Sequence, residues 1–146
     1  MNRFWYLLVF SLFACETKYP IPDEGKKILS LIQINNNESA VIVVLQNENC
    51  ICTEENMNFA FRLLTSRKYD GFKKTVILSS TNHPFQKKIV NMSAVEILIN
   101  SDNLLLKNGL IIMTDRLFIY DSKKPYYVTE ELKEETKLLK EKYLTN

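Results

Sequence analysis

AVIVVLQNENCICTEENMNFAFRLL, residues 40–64, places a β-branched run, a polar turn, two cysteines and a helix start in immediate succession. Val41, Ile42, Val43 and Val44 form a short apolar run bounded by Gln46-Asn47-Glu48-Asn49, the pattern of a strand covered on both faces. Thr53 is placed to cap a helix, because its hydroxyl can accept from an orphan backbone N–H. Glu54 and Glu55 bring negative charge into the first turn, and Phe59, Phe61, Leu63 and Leu64 supply apolar surface. Cys50 and Cys52 therefore fall in a strand-to-helix turn. Unpaired N–H groups and the positive end of the helix dipole face such a turn, and both stabilise a thiolate.

On either side, the pattern alternates between helix and strand. Glu24 to Ile34 carries Ile28, Leu29, Leu31, Ile32 and Ile34 among lysines at near-helical spacing. Lys68-Tyr69-Asp70-Gly71 has the chemistry of a helix C-terminus, and Lys74 to Ser79 reads as a second strand. Thr81 to Met92 predicts a short helix, with Asn82 or His83 at its start and Pro84 where a missing N–H costs nothing. Val95 to Asn100 is a third strand, and Leu104 to Asn108 a helical turn stopped by Gly109.

Leu110 to Met113 and Leu117 to Tyr120 read as a hairpin around Thr114-Asp115-Arg116. Thr129 to Tyr143 predicts a closing helix capped by Thr129, with Glu130 and Glu131 in its first turn and a stripe of Leu132, Leu138, Leu139 and Tyr143. The expected sheet core is Val41, Val43, Leu45, Val76, Leu78, Ile111 and Phe118, with Phe59, Leu63 and Leu139 packing from helices. Alternating helices and strands followed by a hairpin and a helix predict an α/β fold with a mixed sheet.

Met1 to Cys15, MNRFWYLLVFSLFAC, has a basic Arg3 and an apolar stretch from Phe4 to Ala14. That stretch is short of the roughly 20 apolar residues a spanning helix needs, and it suits a secretion signal. Leu12-Phe13-Ala14-Cys15 resembles the lipobox of bacterial lipoproteins. The resemblance implies that residues 1–14 are removed and that Cys15 is lipidated on its thiol. Lipid there would hold the protein on a membrane surface while the domain stays in water. The alternatives are a cleaved signal with Cys15 incidental, or an N-terminal helix packed into a core through Trp5 and Tyr6. Pro20 and Pro22 favour an extended tether over 15–23, which leaves 24–146 as one domain.

The formal charge is +2, with lysines and acids mixed along the chain, so nothing points to nucleic acid. Three cysteines less a lipidated Cys15 leave Cys50 and Cys52 as one pair in an exported protein.

The strand Val41–Leu45, the turn Asn49-Cys50-Ile51-Cys52, the helix from Thr53, the strand Val76–Leu78, the hairpin around Asp115 and the last helix resemble the thioredoxin fold in order and spacing. The likeness covers about residues 24–144, and its nearest form is the redoxin-type lipoproteins of Gram-negative bacteria. It implies a thioredoxin-like mixed β-sheet flanked by helices, with Cys50 as the exposed nucleophile and Cys52 as its resolving partner. It implies protein thiols and disulfides as partners, no cofactor, and a place in the cell envelope facing the periplasm or the cell surface. The chain departs from the family in four places. One residue, Ile51, separates the cysteines instead of two, and Asn49 stands where the family has tryptophan. No proline lies between Pro84 and Pro125 to serve as the family's cis-proline before the hairpin, and no acid lies within Ala40–Leu45.

Two residues of extended strand separate Cα atoms by about 6.6 Å, near the outer limit of roughly 6.8 Å for a disulfide, so a Cys50–Cys52 bond needs a turned backbone. A strand-to-helix turn provides one. Three functions compete: a membrane-anchored thiol–disulfide oxidoreductase or isomerase, a non-enzymatic binding or structural lipoprotein with an inert disulfide, and soft-metal delivery using the two thiols and His83, the single histidine. For the anchor the expected outcome is an acylated Cys15 and loss of residues 1–14. Intact-mass analysis of membrane-extracted protein checks it, and a retained Met1 refutes it.

Overall fold

The computed structural model describes residues 21–49, 52–123, 126–132 and 136–144. In chain order the elements are α1 (Asp23–Leu31), β1 (Ala40–Leu45), α2 (Cys52–Thr65), β2 (Lys73–Leu78), α3 (Pro84–Ile89), β3 (Val95–Ile99), α4 (Leu104–Lys107), β4 (Arg116–Asp121), β5 (Tyr126–Glu131) and α5 (Thr136–Leu144). A 3-10 turn, Arg67–Tyr69, separates α2 from Gly71, whose φ of +82° suits glycine.

The five strands form one mixed sheet in the order β3-β2-β1-β4-β5. Parallel pairs join β1 to β2 and β2 to β3, and antiparallel pairs join β1 to β4 and β4 to β5. This is a thioredoxin-like α/β arrangement: the strand that leads into the cysteine turn is central, with a parallel neighbour on one side and the hairpin on the other. The unit α3-β3 widens the sheet beyond β2.

All six residues of β1 are buried, as its unbroken apolar run requires. Strand periodicity divides them between two cores. Val41, Val43 and Leu45 face α2, α3 and α5, where Phe59, Leu63, Phe85, Ile89 and Tyr143 pack with Val76, Leu78 and Leu117. Ala40, Ile42 and Val44 face α1, α4 and the chain that follows it, with Ile28, Leu29, Leu105, Leu110, Ile112 and Phe118. Gly25 lets α1 approach the sheet closely, since a Cβ there would lie 2.6 Å from the Tyr127 ring.

Two element assignments fail, both in the last third. Leu110–Met113 is not a strand, and the hairpin is instead β4 with β5, in register Phe118↔Thr129. In the 110–113 segment Leu110 and Ile112 are buried, while Ile111 and Met113 stand 74% and 78% exposed, so Ile111 leaves the predicted core. Thr129, Glu130 and Glu131 lie in β5, and the closing helix is Thr136–Leu144. Leu132 belongs to the chain after that strand, where its N–H donates to the Asp115 carbonyl at 2.8 Å. Leu139 and Tyr143 do pack on the α2 face, and the Leu138 side chain lies outside the described residues.

These burials separate two truncations. Val43→Ala should cost about 1–3 kcal/mol through lost transfer energy and a cavity, whereas Ile111→Ala should stay within about 0.5 kcal/mol of the parent. Urea denaturation of both variants checks this, and equal losses would refute the assignment of the two positions.

Candidate functional site

The central strand ends at Leu45, and the loop Gln46–Asn49 carries the chain toward α2. Carboxyl ends of parallel strands are where open α/β sheets build their sites. Cys52 is the first residue of α2, partly buried, and disulfide-bonded. Cys50, Ile51 and Cys15 lie outside the described residues. Thr53, expected as the cap, is already inside the helix. Its hydroxyl donates instead to the Asn47 carbonyl at 3.5 Å.

Three ties to other parts of the fold hold the loop. Asp115, the residue immediately before β4, is fully buried. Its Oδ1 accepts from the backbone N–H groups of Gln46 at 2.8 Å and Asn47 at 3.0 Å. Its Oδ2 accepts from Asn56 Nδ2 of α2 at 2.7 Å, and the same amide donates to the Leu132 carbonyl at 3.3 Å. One carboxylate therefore ties the end of β1, the first turns of α2 and the start of β4 together. Both of its oxygens accept from donors, which is how a buried carboxylate is kept from the cost of an unpaired charge.

His83 holds the loop from a second side. It is 1% exposed and caps α3: Nδ1 accepts from the Phe85 N–H at 3.1 Å. That bond leaves Nε2 to carry the proton and donate to the Asn47 carbonyl at 3.3 Å. Both ring nitrogens are thus engaged in holding backbone, which answers the reading of His83 as a soft-metal ligand. The expectation that His83 starts a helix with Pro84 in the first turn holds.

Glu48 supplies the third tie. Its carboxylate accepts from the Ser79 hydroxyl at the end of β2. The Ser79 hydroxyl, then that of Ser80, holds the Glu48 carboxyl below the usual carboxylate range; partial burial opposes this and His83 adds to it. Glu48 is thereby turned toward β2. Beside His83 lies a groove of about 380 Å³ lined by Thr81, Asn82, Gln86, Lys87 and Val90, with Val90 61% exposed.

Sequence reasoning found Cys52 and the helix that begins at it, and it missed Asp115 and Asn56. Asp115 sits in a Thr-Asp-Arg triplet that reads as a polar turn. Asn56 is a polar residue followed in α2 by inward positions that are all apolar, Met57, Phe59, Ala60, Leu63 and Leu64, and that break in the stripe was the available signal.

No protein-family model and no curated protein matches the chain. Among solved structures, the thioredoxin domain of a thiol-disulfide oxidoreductase from Bacteroides vulgatus is similar, with a TM-score of 0.45 and 13% identity over 75% of this chain and 81% of that one.

The Glu48 tie has a defined pH signature. A carboxyl whose folded-state pKa is depressed contributes stability that is present above its unfolded value, near 4.5, and lost as pH falls through the folded value. Ser79→Ala should move the Glu48 midpoint up toward that ordinary value, and NMR titration of the side-chain carboxyl reads it. An unmoved midpoint would remove the Ser79 hydroxyl as the main cause.

Proposed function

We propose that this chain is a thiol–disulfide oxidoreductase or isomerase of the cell envelope, reacting through Cys50 and Cys52 and held at a membrane surface by lipid on Cys15. The observation that carries the reading is the disulfide at Cys52, on the first residue of α2 at the carboxyl end of the central strand. A sulfur there lies at the positive end of the helix dipole, which favours its thiolate as attacking or leaving group.

In the reducing direction the Cys50 thiolate attacks one sulfur of a partner disulfide. That S–S bond breaks, the first partner sulfur leaves as a thiolate and takes a proton, and a mixed disulfide remains. The Cys52 thiolate then attacks the Cys50 sulfur, which releases the second partner thiol and closes the protein's own disulfide. Two electrons pass from protein to partner. Run backwards, the same steps oxidise a partner dithiol; stopped at the mixed disulfide, they reshuffle. The loop held by Asp115, His83 and Glu48 keeps the helix start in one geometry through both attacks, so little ordering is left to the moment of reaction. The groove beside His83 offers a partner an apolar valine and a lysine.

A second reading, a binding lipoprotein with an inert disulfide, draws on the place of Asp115. The thioredoxin resemblance calls for a proline just before β4, beside the disulfide and the substrate groove, and this chain has a buried carboxylate there. Trapping separates the two. Cys52→Ser should accumulate mixed disulfides through Cys50 in the native envelope, and Cys50→Ser should trap little. If Cys52→Ser traps nothing, and reduced wild-type protein acts on a test disulfide no faster than free glutathione, the redox reading fails.

A further inference from the structure

Asp115 lies under the cysteine end of α2. Asn56 is four residues after Cys52, so the two share a helix face one turn apart. Asn56 is fully buried and its amide grips Asp115 Oδ2 at 2.7 Å, which places the carboxylate against the face that carries Cys52. The three hydrogen bonds to Asp115 all come from donors, two of them backbone N–H groups, and no cation pairs with it among the described residues. Its charge is thus held by dipoles alone and enclosed where solvent screening is weak.

Resting on the redox reading above, we propose that Asp115 is a positioning residue that tilts the Cys52 disulfide toward its oxidised form, so that the reduced pair serves as a reductant of protein disulfides. A buried negative charge destabilises a neighbouring thiolate. Reduced forms that are stabilised as thiolate make strong oxidants, and loss of that stabilisation moves the couple the other way. Glu54 and Glu55, exposed in the first turn of α2, act in the same sense. The helix start attracts a thiolate and Asp115 repels it; burial gives the second field the greater reach.

The balanced equilibrium that reads this is protein disulfide plus two glutathione thiols, giving protein dithiol plus one glutathione disulfide. It is measured on the full chain by thiol alkylation and mass analysis across glutathione ratios. Asp115→Asn keeps an oxygen for the two loop amides and removes the charge. It should shift the equilibrium at least tenfold toward the dithiol, about 30 mV for a two-electron couple. Asn56→Asp added to Asp115→Asn returns a carboxylate to the buried pair and should bring the constant back to within threefold of wild type, which a lost clamp would not do. Should Asp115→Asn fail to fold, Asn56→Ala carries the test: it removes one donor that offsets the charge and should shift the equilibrium toward the disulfide. A wild-type constant in folded Asp115→Asn overturns the inference, as does an equal shift in the single and double variants, or no shift in Asn56→Ala. A wild-type disulfide that exchanges with glutathione at no ratio overturns the redox reading itself, and the inference with it.

Discussion

The carboxylate of Asp115 is the contact on which the arrangement of the cysteine end depends. Its three donors come from two places far from it in the chain, the loop after β1 and the second turn of α2, and its own backbone carbonyl accepts from the N–H of Leu132 after β5. Hydrogen bonds to a charged acceptor are worth roughly 1.5–3 kcal/mol each, more than the usual neutral bond. The larger quantity is what happens when one partner goes. A buried carboxylate left without donors costs several kcal/mol, so β1, α2, β4 and the end of β5 are committed to one mutual placement. Apolar packing alone tolerates small slides between a helix and a sheet; a filled carboxylate does not.

That commitment is possible because β1 is fixed independently. Its side chains are divided between two cores, and a shift of one residue in register would exchange the two sets. Parallel pairing to β2 and antiparallel pairing to β4 then fix both neighbours in space. Gln46 and Asn47 inherit their positions from Leu45, and the loop amides arrive where Asp115 can accept them. His83 and Glu48 add ties from the α3 start and the end of β2, so the loop is restrained from both neighbouring strands.

From Asp23 to Gly109 the order of elements was legible in the sequence for a physical reason. Long β-branched runs such as Val41–Val44, and terminators such as Pro84 and Gly109, act locally and leave few alternatives. The last third was misread where local signals pointed both ways. Leu110-Ile111-Ile112-Met113 has strand composition, yet alternate residues merely plug a core under an irregular segment. Thr129-Glu130-Glu131 carries helix-cap chemistry, yet hydrogen bonding to β4 takes those residues into a strand, with Glu130 placed to accept from Lys142 and Tyr143 of α5. Tertiary pairing overrode propensity in both cases. The site was half legible for the same reason: Cys52 announces itself by type and spacing, while Asp115 acquires its role only from contacts with residues 46, 47 and 56.

The same division explains which charges can govern the sulfur at Cys52. Glu54 and Glu55 stand in solvent in the first turn of α2, where counterions weaken any field over a Debye length of about 8 Å at physiological salt. Glu48 is turned away to Ser79. The helix start contributes about half a positive charge, confined to its first turn and likewise screened where it meets water. Asp115 alone among these groups is fully buried, and its field crosses protein instead of solvent. Added salt should therefore strip away the contributions of the surface acids and the helix end together and leave that of Asp115 standing. The residue that fixes the geometry of the turn is then also the one whose electrostatic effect on the disulfide is least open to the surroundings.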